Sequence, residues 1–277
     1  MPRPISATAQ QLRDALKDFK QSGKWIVAYA DQYLQASYYV ATVADKIYLN
    51  DHGMIDFKGL GGKGEYYKGL YDKLGVKYMV AKVGKYKSYV ESNTLTGMSD
   101  YDREQRTAYL NGIWNYWLKE MAEGRKVKAE DLNQLANDSV MAFACTDDYV
   151  KAKLIDKVLF PEEIKAEIKG RLKLGKDDAI EQLTLSDMLN VKSKKSTDGD
   201  KVAIYYAYGS IVDSETMNLL DGGGHCIVGG KTADDLRKLA DDDDVKAVVF
   251  RVNSGGGSAV ASEQIRHAVK LLKEKKS

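Results

Sequence analysis

The residues best placed to do chemistry lie near the C-terminus. The β-branched run Val248-Val249-Phe250-Arg251-Val252 stops at Asn253-Ser254-Gly255-Gly256-Gly257, and Ser258 follows where a helical pattern opens at Ala259. This reads as strand, tight turn, then serine at a helix N-terminus. Glycine allows backbone angles and close approaches that other residues forbid. A helix N-terminus offers unpaired N–H groups and the positive end of the helix dipole, which suit a developing oxyanion. A serine there is placed to act as a nucleophile, with the backbone N–H groups near Gly256 and Gly257 as candidate oxyanion donors. The plainer reading of Ser258 is a helix N-cap, since serine is among the best caps. A phosphate-binding turn is a further rival, but neither glycine-rich phosphate motif is present.

The elements that must position this turn follow an α/β pattern. An amphipathic helix is predicted over 7–22, with Leu12, Ala15, Leu16 and Phe19 at helical spacing. Strands are predicted at 25–30, 46–49 and 76–83. A helix over 65–74 is stopped by Gly75, and a long helix over 101–123 is capped by Ser99 or Asp100 and closed by Gly124. After a polar stretch, 202–207 reads as a strand, Thr232 caps a helix through Leu239, and 245–252 is the strand entering the turn. Alternating strands and helices predict a largely parallel sheet.

Composition narrows the function classes. The 277 residues are 44% hydrophobic and 30% charged with a net charge of +2, an ordinary globular composition that gives no reason to expect nucleic acid. Lys192, Lys194 and Lys195 form a short basic cluster that reads as linker. Cys145 and Cys226 match no metal spacing and are either free thiols or one disulfide. His52, His225 and His267 have no evident ligand partners, so no metal is expected. No signal-peptide pattern and no apolar run of about 18 residues occurs, so the sequence as given predicts no membrane span.

An internal similarity stands out. Gln264–Lys273 aligns with Gln11–Lys20, and Gln, Arg, Ala and both Lys positions are shared at an offset of 253 residues. Two amphipathic helices always share some pattern, but a true repeat would mean two copies of one fold. At that offset Ser258 corresponds to Ile5, so the first copy has no nucleophile. Met1-Pro2-Arg3-Pro4 leads straight into a helix, and Ser277 falls where the first copy continues into its strand. Both copies are therefore expected to be incomplete: 1–174 lacking its opening strand, 175–200 a linker, and 201–277 the start of the second copy. In 201–277 the apolar faces of Val245–Val252 and of Ile265, Val269 and Leu272 are expected to stay uncovered unless the other copy or another chain meets them.

With these motifs, the sequence resembles the signal peptide peptidases of the protease IV type. Arg251–Ser258 followed by Ala261-Ser262-Glu263 resembles that family's nucleophile segment, which puts Ser258 on the nucleophile. Gly84-Lys85-Tyr86-Lys87-Ser88-Tyr89-Val90-Glu91 resembles its general-base segment, which puts Lys87 on the base. Tyr66–Val76 and Gln35–Tyr39 are also family-like. The long form of the family carries two homologous domains, with the lysine from the first and the serine from the second. The resemblance implies a crotonase/Clp-protease-like spiral of parallel strands and helices. It further implies a Ser-Lys endopeptidase that cleaves residual signal peptides or other short apolar peptides, assembles as a homo-oligomer and uses no metal or cofactor. The family sits at the bacterial plasma membrane with its catalytic part outside the cytoplasm. This chain would associate with a membrane only through a segment it does not contain. One departure is Gly255, where the family commonly has proline.

A lysine works as a base only when neutral, and its ordinary pKa is about 10.4. Burial in an apolar site lowers it by up to about 3–5 units. Without the resemblance, Lys87 reads as one more solvated lysine beside Lys82 and Lys85. Two other functions fit the same fold. One is a crotonase-type acyl-CoA enzyme, which needs no Ser-Lys pair. The other is a non-catalytic scaffold, whose assembly would not depend on Ser258 or Lys87.

Overall fold

The computed structural model describes residues 5–138, 144–191, 199–215 and 224–276; the Lys192, Lys194 and Lys195 cluster lies outside them. The chain divides into two compact units, Met1–Glu181 and Gln182–Ser277, and the division falls inside the polar stretch 175–200. The fold is α/β, and every strand pairing among the described residues is parallel.

The first unit opens with α1 (Ile5–Gln21), β1 (Val27–Tyr33), α2 (Gln35–Ala41) and β2 (Lys46–Ile55). Much later β3 (Lys157–Val158) joins, giving the order β1-β2-β3. Parallel strands need a crossover, and α2 supplies the one between β1 and β2. Between β2 and β3 run α3 (Lys68–Leu74), a 3-10 turn (Ser88–Val90), α4 (Glu91–Thr94), α5 (Asp100–Arg125), α6 (Ala129–Asn137) and α7 (Thr146–Lys151). Helix α8 (Pro161–Leu172) closes the unit. Ile47 and Leu49 of β2, Tyr38 and Tyr39 of α2, and Trp117 and Met121 of α5 meet in one buried core. The Tyr39 and Trp117 rings stack 4.7 Å apart.

Helix α1 packs on a different face from the one its apolar pattern predicts. Leu12 and Phe19 are 53% and 45% exposed, whereas Arg13 is 1% exposed. The reason is chemical. The guanidinium of Arg13 donates to Glu120 Oε2 (3.1 Å), Tyr39 O (2.6 Å), Thr42 Oγ1 (2.7 Å) and Glu120 O (2.7 Å). A buried cation is tolerated when paired and fully bonded, and this one joins α1, α2 and α5.

Two further expectations give way. Residues 76–83 form no strand, and Met79 and Val83 are 84% and 91% exposed. A β-prone run holds as a strand only against a neighbour, and none pairs with it among the described residues. Gly124 does not end α5. Ser99 caps its start, with Oγ accepting from Asp102 N–H, and Lys126 at φ 55° ends it. Gly124 lies inside the helix, at a contact where a Cβ would sit 2.0 Å from Thr42 O. Gly75, by contrast, does terminate α3, at φ 68°.

The second unit contains α9 (Leu185–Leu189), β4 (Lys201–Tyr208), β5 (Ser210–Val212), β6 (Cys226–Val228), α10 (Gly229–Asp241), β7 (Val245–Asn253) and α11 (Ala259–Lys275). β4 pairs with β7 from Lys201↔Val245 to Tyr208↔Asn253, and β5 pairs with β6. Thr232 is not the cap of α10; the helix begins at Gly229 and Thr232 is buried within it. Nor is the apolar face of α11 left open: Ile265 and Leu272 are buried and share a core with Ala233 and Leu236 of α10. Outward residues Val202, Ile204, Tyr206 and Val249 of the β4–β7 pair are exposed. Cys145 and Cys226 are both free thiols. Among the described residues, no helix is long and apolar enough to cross a membrane.

Candidate active site

Ser258 is set by β5 as much as by its own turn. After β7, Ser254 Oγ accepts from Gly256 N–H at 3.1 Å. Gly256 takes φ 109°, a left-handed conformation that favours glycine. Ile211 of β5 then clamps the turn from both sides. Its N–H donates to Gly256 O (3.0 Å), and its carbonyl accepts from Ser258 N–H (2.9 Å). The approach is so close that a Cβ on Gly257 would lie 2.0 Å from Ile211 O.

The Ser258 hydroxyl has two partners. Its oxygen accepts from Ala261 N–H (3.2 Å), the bond of an N-cap, and it donates to Asp213 Oδ1 (2.8 Å). The cap reading of Ser258 therefore holds, and it leaves the proton on the side away from the helix. Of the two glycine donors, Gly256 N–H is engaged by Ser254, while Gly257 N–H makes no hydrogen bond among the described residues. Asp213 had no signal in the sequence. It lies 45 residues from Ser258, and only the passage of β5 beside the turn brings them together.

Lys87 lies in the first unit and lines an open cleft of about 420 Å³. Its residue is the N-cap of the 3-10 turn and is exposed. Lys82 pairs with Glu91 at 3.8 Å, and Lys85 sits 5.0 Å from the Tyr86 and Tyr101 ring centres. The Lys87 amine alone of the three makes no hydrogen bond, ion pair or ring contact among the described residues.

The backbone next to Lys87 is anchored from below. Ser88 Oγ donates to Asp102 Oδ1 (2.7 Å) and accepts from Gln105 Nε2 (2.6 Å). Arg106 Nε donates to Asp102 Oδ2 at 2.8 Å. Burial of Asp102 pushes its carboxyl up, but bonds from Arg106, Ser88 and Gln105 outweigh burial and hold it below its ordinary range. Glu91, also buried, accepts from the Ser99 hydroxyl at 2.8 Å. The segment carrying Lys87 is thus fixed to the start of α5, while Lys87 itself is exposed.

Comparison with known proteins identifies the family. The model of peptidase family S49 matches residues 18–175, more than half of the chain. The chain is 32% identical over 268 residues to Protease 4 of Haemophilus influenzae, covering 94% of this chain and 43% of that protein. It is 32% identical over 257 residues to Protease 4 of Salmonella typhi, covering 91% of this chain and 40% of that protein. With the chloroplastic serine protease SPPA of Arabidopsis thaliana it shares 27% identity over 270 residues, 96% of this chain and 39% of the relative. The chain spans about two fifths of the length of these relatives. It belongs to peptidase family S49.

Proposed function

We propose that this chain carries the working residues of a serine endopeptidase with a Ser-Lys dyad, Ser258 as nucleophile and Lys87 as general base. The observation that carries the reading is the Ser258 turn: a hydroxyl clamped at a helix N-terminus, beside an open N–H at Gly257, in a chain of family S49. In the proposed cycle a neutral Lys87 amine takes the Ser258 proton and Oγ attacks the peptide carbonyl. Gly257 N–H faces the oxyanion. The lysine then returns the proton to the leaving amine, and water releases the acyl group by the reverse route. The cycle calls for no metal or cofactor.

Lys87 is exposed in its own unit, so the desolvation that a lysine base needs must come from another surface. We assign that surface to the serine-bearing unit of the same or a neighbouring chain, in a homo-oligomer. The substrate class proposed is apolar peptide, residual signal peptides included, met outside the cytoplasm at the bacterial plasma membrane. The proposed domains are 1–174 and 201–277, joined by 175–200, as two copies of one fold. The support is the match of Gln11–Lys20 to Gln264–Lys273; the two helices bury different faces, Arg13 in α1 and Ile265, Ala268 and Leu272 in α11.

The test is hydrolysis of an apolar signal-peptide substrate by the full-length protein, alongside labelling with a serine-directed fluorophosphonate. Ser258→Ala should lose both without loss of fold. Lys87→Arg keeps the charge but cannot become a base, and it should lose activity as fully as Lys87→Ala. Hydrolysis by either variant at the parent rate removes that residue from the mechanism.

A further inference from the structure

The proton of Ser258 points at a carboxylate that the dyad does not use. Asp213 Oδ1 accepts it at 2.8 Å. Asp213 follows β5 directly, and the backbone bonds of Ile211 to Gly256 and Ser258 fix where it lies. It is exposed, and among the described residues it makes no ion pair. Other charged groups of this unit have partners of their own. Glu215 pairs with Lys231 of α10 at 3.4 Å, and Glu263 with Arg266 of α11 at 2.7 Å. Arg251 of β7 lies over the Tyr206 ring, and the His225 ring, just before β6, packs edge-on against Tyr208.

Any base that removes the Ser258 proton must come within hydrogen-bond reach of Oγ, about 3 Å. It therefore lies within about 6 Å of Asp213 Oδ1, wherever around the oxygen it approaches. At that range a carboxylate favours the protonated form of an amine. We propose that Asp213 is a positioning residue that acts through the base: it stabilises the ammonium formed as Ser258 attacks, and it raises the pH at which the base becomes free. This rests on the Ser-Lys reading of the site.

The signature is a shift in pH dependence. A unit charge at about 6 Å moves a pKa by about 0.5 unit if fully water-screened and by about 2 units at an effective dielectric constant of 20. The working form of the base is the neutral amine. Removing the Asp213 charge lowers its pKa, so the acid limb of kcat/KM moves to lower pH.

The experiment measures kcat/KM against pH for the full-length protein and its Asp213→Asn and Asp213→Ala variants, beside Ser258→Ala and Lys87→Arg. Asp213→Asn keeps an acceptor oxygen for the hydroxyl and removes only the charge. The expected result is an acid limb lowered by about 0.5–2 pH units in both Asp213 variants, with a plateau reduced by up to about tenfold. Unfolding monitored by circular dichroism should match the parent. If Ser258→Ala and Lys87→Arg are inactive but the limb of Asp213→Asn coincides with the parent's, Asp213 has no such role. A limb that moves upward overturns it equally. If Ser258→Ala or Lys87→Arg keeps the parent rate, it is the dyad reading that has failed instead.

Discussion

Gly257→Ala separates the role of the turn from that of the hydroxyl. The added Cβ would lie 2.0 Å from Ile211 O and 2.8 Å from its carbonyl carbon and nitrogen, where ordinary contact begins at 3.4 Å. Backbone cannot rotate away as a side chain can, so β5 and the turn must part by more than about 1 Å. Parting them breaks the bonds from Ile211 N–H to Gly256 O and from Ser258 N–H to Ile211 O. Each is worth about 1 kcal/mol. Alanine at the glycine's φ of 155° adds about 1–3 kcal/mol of strain. The second unit should therefore lose about 3–5 kcal/mol of stability. A misplacement of about 1 Å lowers turnover about 100-fold, and loss of one oxyanion donor lowers it by about 100- to 1,000-fold. The expected fall in kcat/KM is at least about 100-fold, although Ser258 itself is untouched. The control is Gly255→Ala, where a Cβ meets nothing within 4 Å; it should stay within about twofold of the parent. Peptide hydrolysis and thermal unfolding of the full-length protein read both quantities. A Gly257→Ala protein with parent-like activity and melting temperature would refute the clamp, as would an equal loss in Gly255→Ala.

Two predictions concern the first unit. Arg13→Met should destabilise it by about 3–5 kcal/mol in urea unfolding, because Glu120 would keep a buried charge with only Lys17 beside it; Arg13→Met with Glu120→Gln should recover part of the loss. The same unit should weaken in acid. Burial pushes the Glu120 carboxyl up, but bonds from Lys17 and Arg13 hold it below the ordinary range; for Asp156, burial is likewise outweighed by Ile47 N–H and Arg125. A depressed folded-state pKa contributes stability that is fully present above the unfolded-state value of about 4 and is lost as pH falls through the folded-state value. The urea midpoint should thus be flat near neutrality and fall below about pH 4, and fall less in Glu120→Gln.

What was legible in the sequence was what neighbouring residues decide. The strand into the turn is predicted at 245–252 and runs Val245–Asn253; Gly75 ends α3 because the chain itself requires a left-handed residue there. What was not legible depends on partners far along the chain. Leu12 and Phe19 announce a buried face, but Arg13 finds acceptors on α2 and α5 that outweigh it. Gly124 resembles a helix stop and is a contact with Thr42, 82 residues earlier. Residues 76–83 have the composition of a strand and, among the described residues, no neighbour to pair with. Asp213 is the sharpest case: nothing in its sequence context marks it, and the parallel passage of β5 beside the turn puts it on the Ser258 proton.

The two readings of Ser258 that compete in the sequence do not compete in space. A hydroxyl oxygen accepts and donates along different directions. The cap uses an acceptor site, toward Ala261 N–H, and so fixes the side-chain rotamer. The donor direction stays outside the helix, on Asp213. On the proposed reading, the cap and the Ile211 clamp together hold the nucleophile's oxygen in one place. What a cap cannot supply is a base, and no neutral amine lies within the second unit's own turn. Lys87, which has no side-chain partner among the described residues, belongs to the other unit, with its backbone anchored through Ser88 to the buried carboxylate of Asp102. On the proposed reading each unit contributes one half of the dyad, a half-buried Ser258 and an exposed Lys87.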